Sequence, residues 1–294
     1  MTIRKAPQPD LVDLHVHSSV SDGTLAPRDV VRHAADVGLK AIALTDHDTV
    51  AGVPEALAAG DEFGLEVIPG AEISAELKGG ACHILAYFID CTDPGLAKLL
   101  TEAREGRDIR NRLILEKLNE LGFPLALADV VNRSVDGVLT RAHFAQAMVE
   151  RGYVKTFDEA FDRYLGSGRP AHVHRPRIEP AEAIAVVHKA GGLTALAHPR
   201  QVNRSPGETA AYIEELAAQG LDAVETSSPD HTSNLARRYR EAAVRCNLLE
   251  VGGTDWHGSE HGGIHLGMGR GSMAIHYDLV EKMKARLAER RAAK

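Results

Sequence analysis

Short apolar runs alternate with amphipathic stretches over most of this 294-residue chain, and nearly every run ends in a histidine or a carboxylate. The alternation calls for a largely parallel sheet with helical crossovers. LVDLHVH (11–17), KAIALTDHD (40–48), LEVIPGAEIS (65–74), ACHILAYFI (81–89), LTALAHP (193–199), LDAVETSS (221–228) and LLEVGGTDWHG (248–258) read as strands with their loops. Helical patterns lie between them at 26–38, 53–64, 179–192, 207–220 and 234–247, with a last one at about 277–291. Pro27 suits a first helical turn and Gly38 an end. From about 95 to 168 the rhythm changes, and the chain reads as helical throughout. The expected organisation is α/β, a seven-stranded barrel split into 10–94 and 169–294 around a helical insertion at 95–168.

The polar run ends favour a barrel over an open sheet, because an α/β barrel gathers the C-terminal ends of its strands on one face. His15, His17, His47, Glu72, His198, Asp255 and His257 sit at such ends. His83 opens its strand instead. A hairpin through Gly79-Gly80 would make that strand antiparallel and bring His83 to the same face.

Composition narrows the function classes. Only 4% of residues are aromatic, so the core is built from Ala, Leu, Val and Ile. The net charge of −7 argues against tracking long nucleic acid, duplex DNA included. The charge is uneven: Lys98 to Arg175 holds 13 basic and 11 acidic residues, net +2, while the remainder holds 21 and 30, net −9. The middle of the chain is the less repulsive place for an anionic substrate. Cys82, Cys91 and Cys246 form no CxxC pair, which suits a reducing compartment. MTIRKAPQPD carries no apolar leader, and no run approaches 18 apolar residues. A cytoplasmic protein without membrane contact is the expectation.

Taken singly, the polar motifs are weak. In LVDLHVH, Val12, Leu14 and Val16 should face one side, with Asp13, His15 and His17 on the other. Two such imidazoles can share a cation, and a hydrogen-bonded pair at a strand end fits equally well. A TDHD turn is more often a helix cap than a ligand pair, Glu72 could pair with an arginine, and AHP could hold a satisfied core histidine. Together with Asp22 and His83 they make nine candidates, a costly concentration of buried polar groups without cations. Imidazole and carboxylate without cysteine suit Mn²⁺, Fe²⁺ or Zn²⁺ in a catalytic site rather than structural zinc. Nine donors suffice for two or three ions, and such sites stabilise in-line displacement at phosphorus.

The HxH strand, the TDHD turn, the strand-ending Glu72, the AHP and the late DxH resemble the PHP (polymerase and histidinol phosphatase) superfamily of metal-dependent phosphoesterases, over residues 10–92 and 170–272. The resemblance implies a distorted seven-stranded (β/α) barrel and a trinuclear centre. It implies that His15, His17, Glu72 and Asp255 hold one ion, that Glu72 bridges to a second with His83 and His198, and that Asp22, His47 and His257 hold the third. Several members of the family have His where this chain has Asp22, which makes the third ion harder and favours Mn²⁺. The insertion is similar to that of a branch that removes the 3′-phosphate of nucleoside 3′,5′-bisphosphates, some members of which degrade short RNA from its 5′ end. Both activities need a pocket for a 5′-phosphate, for which Ser134, Arg141 and His143 are the candidates. Arg141 as a surface residue opening a helix is an equal reading. Arg169, His172 and His174 read rather as linker residues. For the leaving alkoxide, His231 could supply the proton, although a solvent-exposed loop histidine is the simpler reading.

Three alternatives remain at this stage. An amidohydrolase also uses an HxH strand but usually wants a lysine ending a middle strand, and none does so here. Histidinol phosphatase activity is a closer rival, disfavoured by the insertion. A non-catalytic metal-binding module would have lost ligands, and no expected ligand is missing. GMGRGS (267–272) lacks the dinucleotide pattern GxGxxG.

Overall fold

The computed structural model describes residues 10–77, 80–131, 139, 141–173, 178–202, 205–258, 263–271 and 273–292. Seven strands form one sheet in chain order: β1 (Val12–Val16), β2 (Ala41–Leu44), β3 (Glu66–Leu77), β4 (Gly80–Tyr87), β5 (Leu193–Leu196), β6 (Ala223–Ser227) and β7 (Leu249–Gly252). Pairing is parallel except on both sides of β4, which runs antiparallel to β3 and to β5. Beyond β7, Trp256 pairs in parallel with Val16, and His17 N–H donates to the Trp256 carbonyl at 2.9 Å, so the sheet nearly closes into a barrel. The closure needs glycine: a Cβ on Gly253 would lie 2.1 Å from Cβ of His15.

The helices start where the local chemistry sets them. Pro27 opens α1 (Pro27–Asp36), Pro54 stands at the start of α2 (Val53–Phe63), and Gly64 ends α2 with φ 69°. Asp93 caps α3 (Pro94–Glu120) by accepting from Leu96 N–H at 2.8 Å. Next come α4 (Leu127–Val131), α5 (Arg141–Glu150) and α6 (Phe157–Ala160), the last running into a π-helical turn, Phe161–Leu165. Then follow α7 (Pro180–Lys189), α8 (Pro206–Ala218) with a Ser205/Glu208 capping box, α9 (Ser233–Arg245) and α10 (Asp278–Ala292). Among the described residues no helix is long and apolar enough to cross a membrane.

Three apolar clusters surround and fill the barrel, and a fourth lies within residues 114–171, between α3 and the return to the sheet. The simple alternation expected along 11–17 does not hold. The register slips between Asp13 and Val16, so Val12 and Leu14 join one cluster and Val16 another. Asp13 consequently leaves the histidines and accepts from Thr254 N–H (2.9 Å) and Gly267 N–H (2.8 Å). The glycine-rich stretch near the C-terminus is therefore a turn held against β1 rather than a phosphate cradle.

Candidate metal centre

Glu72, on β3, is the hub. Its Oε2 lies 3.4 Å from His15 Nε2 and 3.3 Å from His17 Nε2, and the same two nitrogens lie 3.3 and 3.2 Å from Oδ1 of Asp255. Bonds of about 2.0–2.1 Å to a tetrahedral cation give ligand edges of roughly 3.3–3.4 Å, so these four atoms fit one ion. His15 Nε2, His17 Nε2 and Glu72 Oε2 are buried without a hydrogen-bond partner. Buried polar atoms that lack partners and converge on a point are what a bound cation satisfies.

The other oxygen of Glu72 faces His83 Nδ1 at 2.7 Å and His198 Nε2 at 2.8 Å. The antiparallel β4 brings His83 here by placing it opposite Ser74, two residues along from Glu72. Asp22 lies beside His257 Nε2 (3.2 Å), His47 Nε2 (3.7 Å) and His17 Nδ1 (3.7 Å). The clusters are less separate than the resemblance implies. His47 faces Asp22 through Nε2 and Glu72 through Nδ1 (2.9 Å), and His17 belongs to two groups that could hold an ion. Asp255, at φ 53°, and His198, at φ 24°, hold left-handed backbone that non-glycine residues rarely adopt.

Buried carboxylates hold these donors in place. Glu225, fully buried on β6, lies 3.2 Å from His15 Nδ1 and accepts the His198 backbone N–H at 2.6 Å. This is the carboxylate–histidine arrangement that fixes a ligand's tautomer. Asp46 accepts from Ser18 N–H, Ser18 Oγ and Ser21 Oγ, all at 2.7 Å, and so shapes the loop that carries Asp22. Sequence reasoning passed over Glu225, although a carboxylate inside LDAVETSS carries the same signal as Glu72.

Burial favours neutral carboxyls, yet the surrounding imidazoles prevail. His47, His83 and His15 hold Glu72 well below the usual carboxylate range, and His47 and His257 do the same for Asp22. His257 is pushed up to about 10, because Asp22 and Asp255 outweigh its burial. Burial takes His83 down to about 4, with Glu72 opposing only in part.

The cluster opens into a cavity of about 610 Å³, whose far wall is the helical insertion. Arg107 and Arg110 of α3 and Arg141 of α5 line it. Arg107 donates to Asp48 Oδ2 and, at 2.8 Å, to Ser74 Oγ, which fastens α3 beside His47. Burial and neighbouring Arg107 lower the Arg141 pKa. His172 also lines the cavity and is no mere linker, whereas His143 is buried in α5 and is not among the lining residues. Ser134 and His174 fall outside the described residues. His231 is not among the lining residues either. It is not an exposed loop histidine: Nδ1 lies 3.2 Å from the Thr226 carbonyl, the ring packs on Tyr239, Nε2 is buried without a hydrogen-bond partner, and burial lowers its pKa. A neutral ring donating from Nδ1 presents only a lone pair at Nε2. The α3 arginines escaped sequence reasoning because they look like the charged face of any long helix.

Residues 13–166 match the PHP domain. The chain belongs to the PHP domain family. This PHP chain is 36% identical to a 5′-3′ exoribonuclease of Haemophilus influenzae over 83% of its own length and 89% of the relative's. It is 31% identical to a 3′,5′-nucleoside bisphosphate phosphatase of Chromobacterium violaceum, covering 87% and 90%. A solved structure from Bifidobacterium adolescentis, assigned as a metal-dependent phosphoesterase, superposes with a TM-score of 0.83 at 30% identity, covering 95% of this chain and 98% of the other. The PHP chain is a metal-dependent phosphoesterase with histidine and carboxylate clusters able to hold the metal.

Proposed function

We propose that the PHP chain removes the 3′-phosphate of nucleoside 3′,5′-bisphosphates such as 3′-phosphoadenosine 5′-phosphate, leaving nucleoside 5′-monophosphate, and that short 5′-phosphorylated RNA is a further substrate. The observation that carries this reading is the shared cavity: Arg107, Arg110 and Arg141 stand on one wall, and six of the nine candidate donors, Asp22, His47, His83, His198, Asp255 and His257, on the other. Hydrolysis of a simple monoester uses only the second wall. Arg107 is tied to Asp48, whereas Arg141 reaches the Leu165 carbonyl only over a long 3.4 Å. Its guanidinium fork matches a terminal phosphate. Relatives named for these two activities support the reading.

The metal would be held by His15, His17, Asp22, His47, Glu72, His83, His198, Asp255 and His257. When bound, it supplies Lewis-acid stabilisation of the phosphoryl oxygens and a nucleophile at neutral pH. The donor set, richer in carboxylate for Asp22, favours Mn²⁺ over Zn²⁺ or Fe²⁺. The chain's own residues do the rest. Glu225 orients His15 and His198, and the arginines bind and orient the 5′-phosphate. The insertion forms the far wall of the cavity.

The test is phosphate release by Mn²⁺-loaded protein from 3′-phosphoadenosine 5′-phosphate, with 3′-AMP, 5′-AMP and histidinol phosphate in parallel. Strong turnover is expected only where both phosphates are present. Arg141→Ala should raise KM for the bisphosphate by about 10- to 100-fold, a lost charged hydrogen bond or two, and change 3′-AMP turnover little. Equal turnover of all four esters would overturn the reading.

A further inference from the structure

Phe157 and Phe161 sit on the insertion wall of the same cavity and serve nothing described so far. They are one helical turn apart, at the start of α6 and of the π-helical turn that follows it. Their ring centroids are 5.1 Å apart, tilted by 36°. Phe161 packs against the apolar cluster of the insertion, whereas Phe157 stands outside that cluster with 42% of its surface exposed. The chain has only six phenylalanines and one tryptophan, so an exposed phenylalanine on a cavity wall is not surplus core. The local backbone is built around the pair. Gly166 N–H closes the π turn on the Phe161 carbonyl at 2.8 Å, and a Cβ on Gly166 would meet that oxygen at 2.6 Å. π-helical turns recur at functional sites.

We propose that Phe157, backed by Phe161, is the platform on which the nucleobase of the substrate stacks. The inference rests on the bisphosphate reading and adds the third part of the ligand: donors for the scissile phosphate, arginines for the 5′-phosphate, an aromatic face for the base. Stacking on a phenyl ring accepts any base, because every base has a π face. The site therefore selects nucleotides over other phosphate esters without selecting sequence, and purines bind somewhat better than pyrimidines. Phe157 is a binding residue and takes no part in bond breaking.

Two measurements test this. The first compares kcat/KM for 3′-phosphoadenosine 5′-phosphate with that for its abasic counterpart, ribose 3,5-bisphosphate, in wild type and in Phe157→Ala and Phe157→Trp. The preference for the base-bearing ester should fall about tenfold in Phe157→Ala, through KM, and be kept in Phe157→Trp. An unchanged preference overturns the platform. The second needs no turnover. Native Trp256 is 2% exposed, so added fluorescence in Phe157→Trp reports the cavity wall. 5′-AMP should quench it and ribose 5-phosphate should not. Equal effects of the two ligands, or none, overturn the platform. Failure of the bisphosphate reading shows separately, as wild-type turnover indifferent to the second phosphate.

Discussion

Glu225 touches two candidate ligands and no substrate, which makes it the clearest single-residue probe of the centre. Glu225→Gln keeps the shape but removes the charge from behind His15 and the backbone of His198. Loss of such a partner weakens metal binding by about 10- to 100-fold, and an isothermal titration with Mn²⁺ should show it. His257 offers a second probe, by pH. Its pKa in the folded chain, about 10, lies above the ordinary histidine value of 6.5. Protonated His257 therefore contributes stability that is full below pH 6.5 and lost as pH rises through 10. A cation must displace this proton. Thermal stability in the presence of chelator should accordingly fall from pH 7 to 10, less so in His257→Gln, while Mn²⁺ affinity rises over the same range. At this scale the sequence was informative wherever a polar residue interrupts or ends an apolar run, as His15, Glu72 and His198 do. It was silent where a residue's surroundings decide its role. His231 and Arg107 look alike on paper, each a polar residue beside a helix start or on a helix face, yet one is turned to the Thr226 carbonyl and the other locks two elements together.

Among the elements, the insertion is the one whose removal should separate selectivity from chemistry. Its apolar cluster includes Phe144, Met148, Ile114 and Leu165, all fully buried, and it is distinct from the clusters around the barrel. Phe144→Ala should cost about 3–5 kcal/mol, read as a separate low-stability transition in chemical denaturation. Turnover of p-nitrophenyl phosphate should survive while the advantage of the bisphosphate is lost. The elements themselves were readable from period and punctuation: prolines at helix starts, glycines at ends, and a Gly-Gly pair that announces the one reversal of direction. Two local features were not. The slip of register in β1 goes with the bonds of Asp13 to Thr254 and Gly267, more than 240 residues away in the chain, and the π turn closes through a backbone bond at Gly166. Neither leaves a periodic trace.

The whole molecule is a barrel whose seam passes through its chemistry. β1 and the segment after β7 meet at Gly253, and that segment delivers Asp255 and His257 to β1's own histidines. Gly253→Ala should therefore lower stability and Mn²⁺ affinity together, whereas an alanine at exposed Gly207 should alter neither; differential scanning fluorimetry with and without Mn²⁺ distinguishes the two cases. Glu72 carries the last consequence. Its two oxygens face five imidazoles, His15, His17, His47, His83 and His198, from β1 and its end, the β2 loop, β4 and the β5 end, so the proposed ions are not filled independently. Glu72, held by one bound cation, would offer a changed affinity to a second, and linkage makes that influence mutual. Occupancy should thus be cooperative, with a titration curve that no set of identical separate sites describes. Whichever position fills first would then set how readily its neighbour fills.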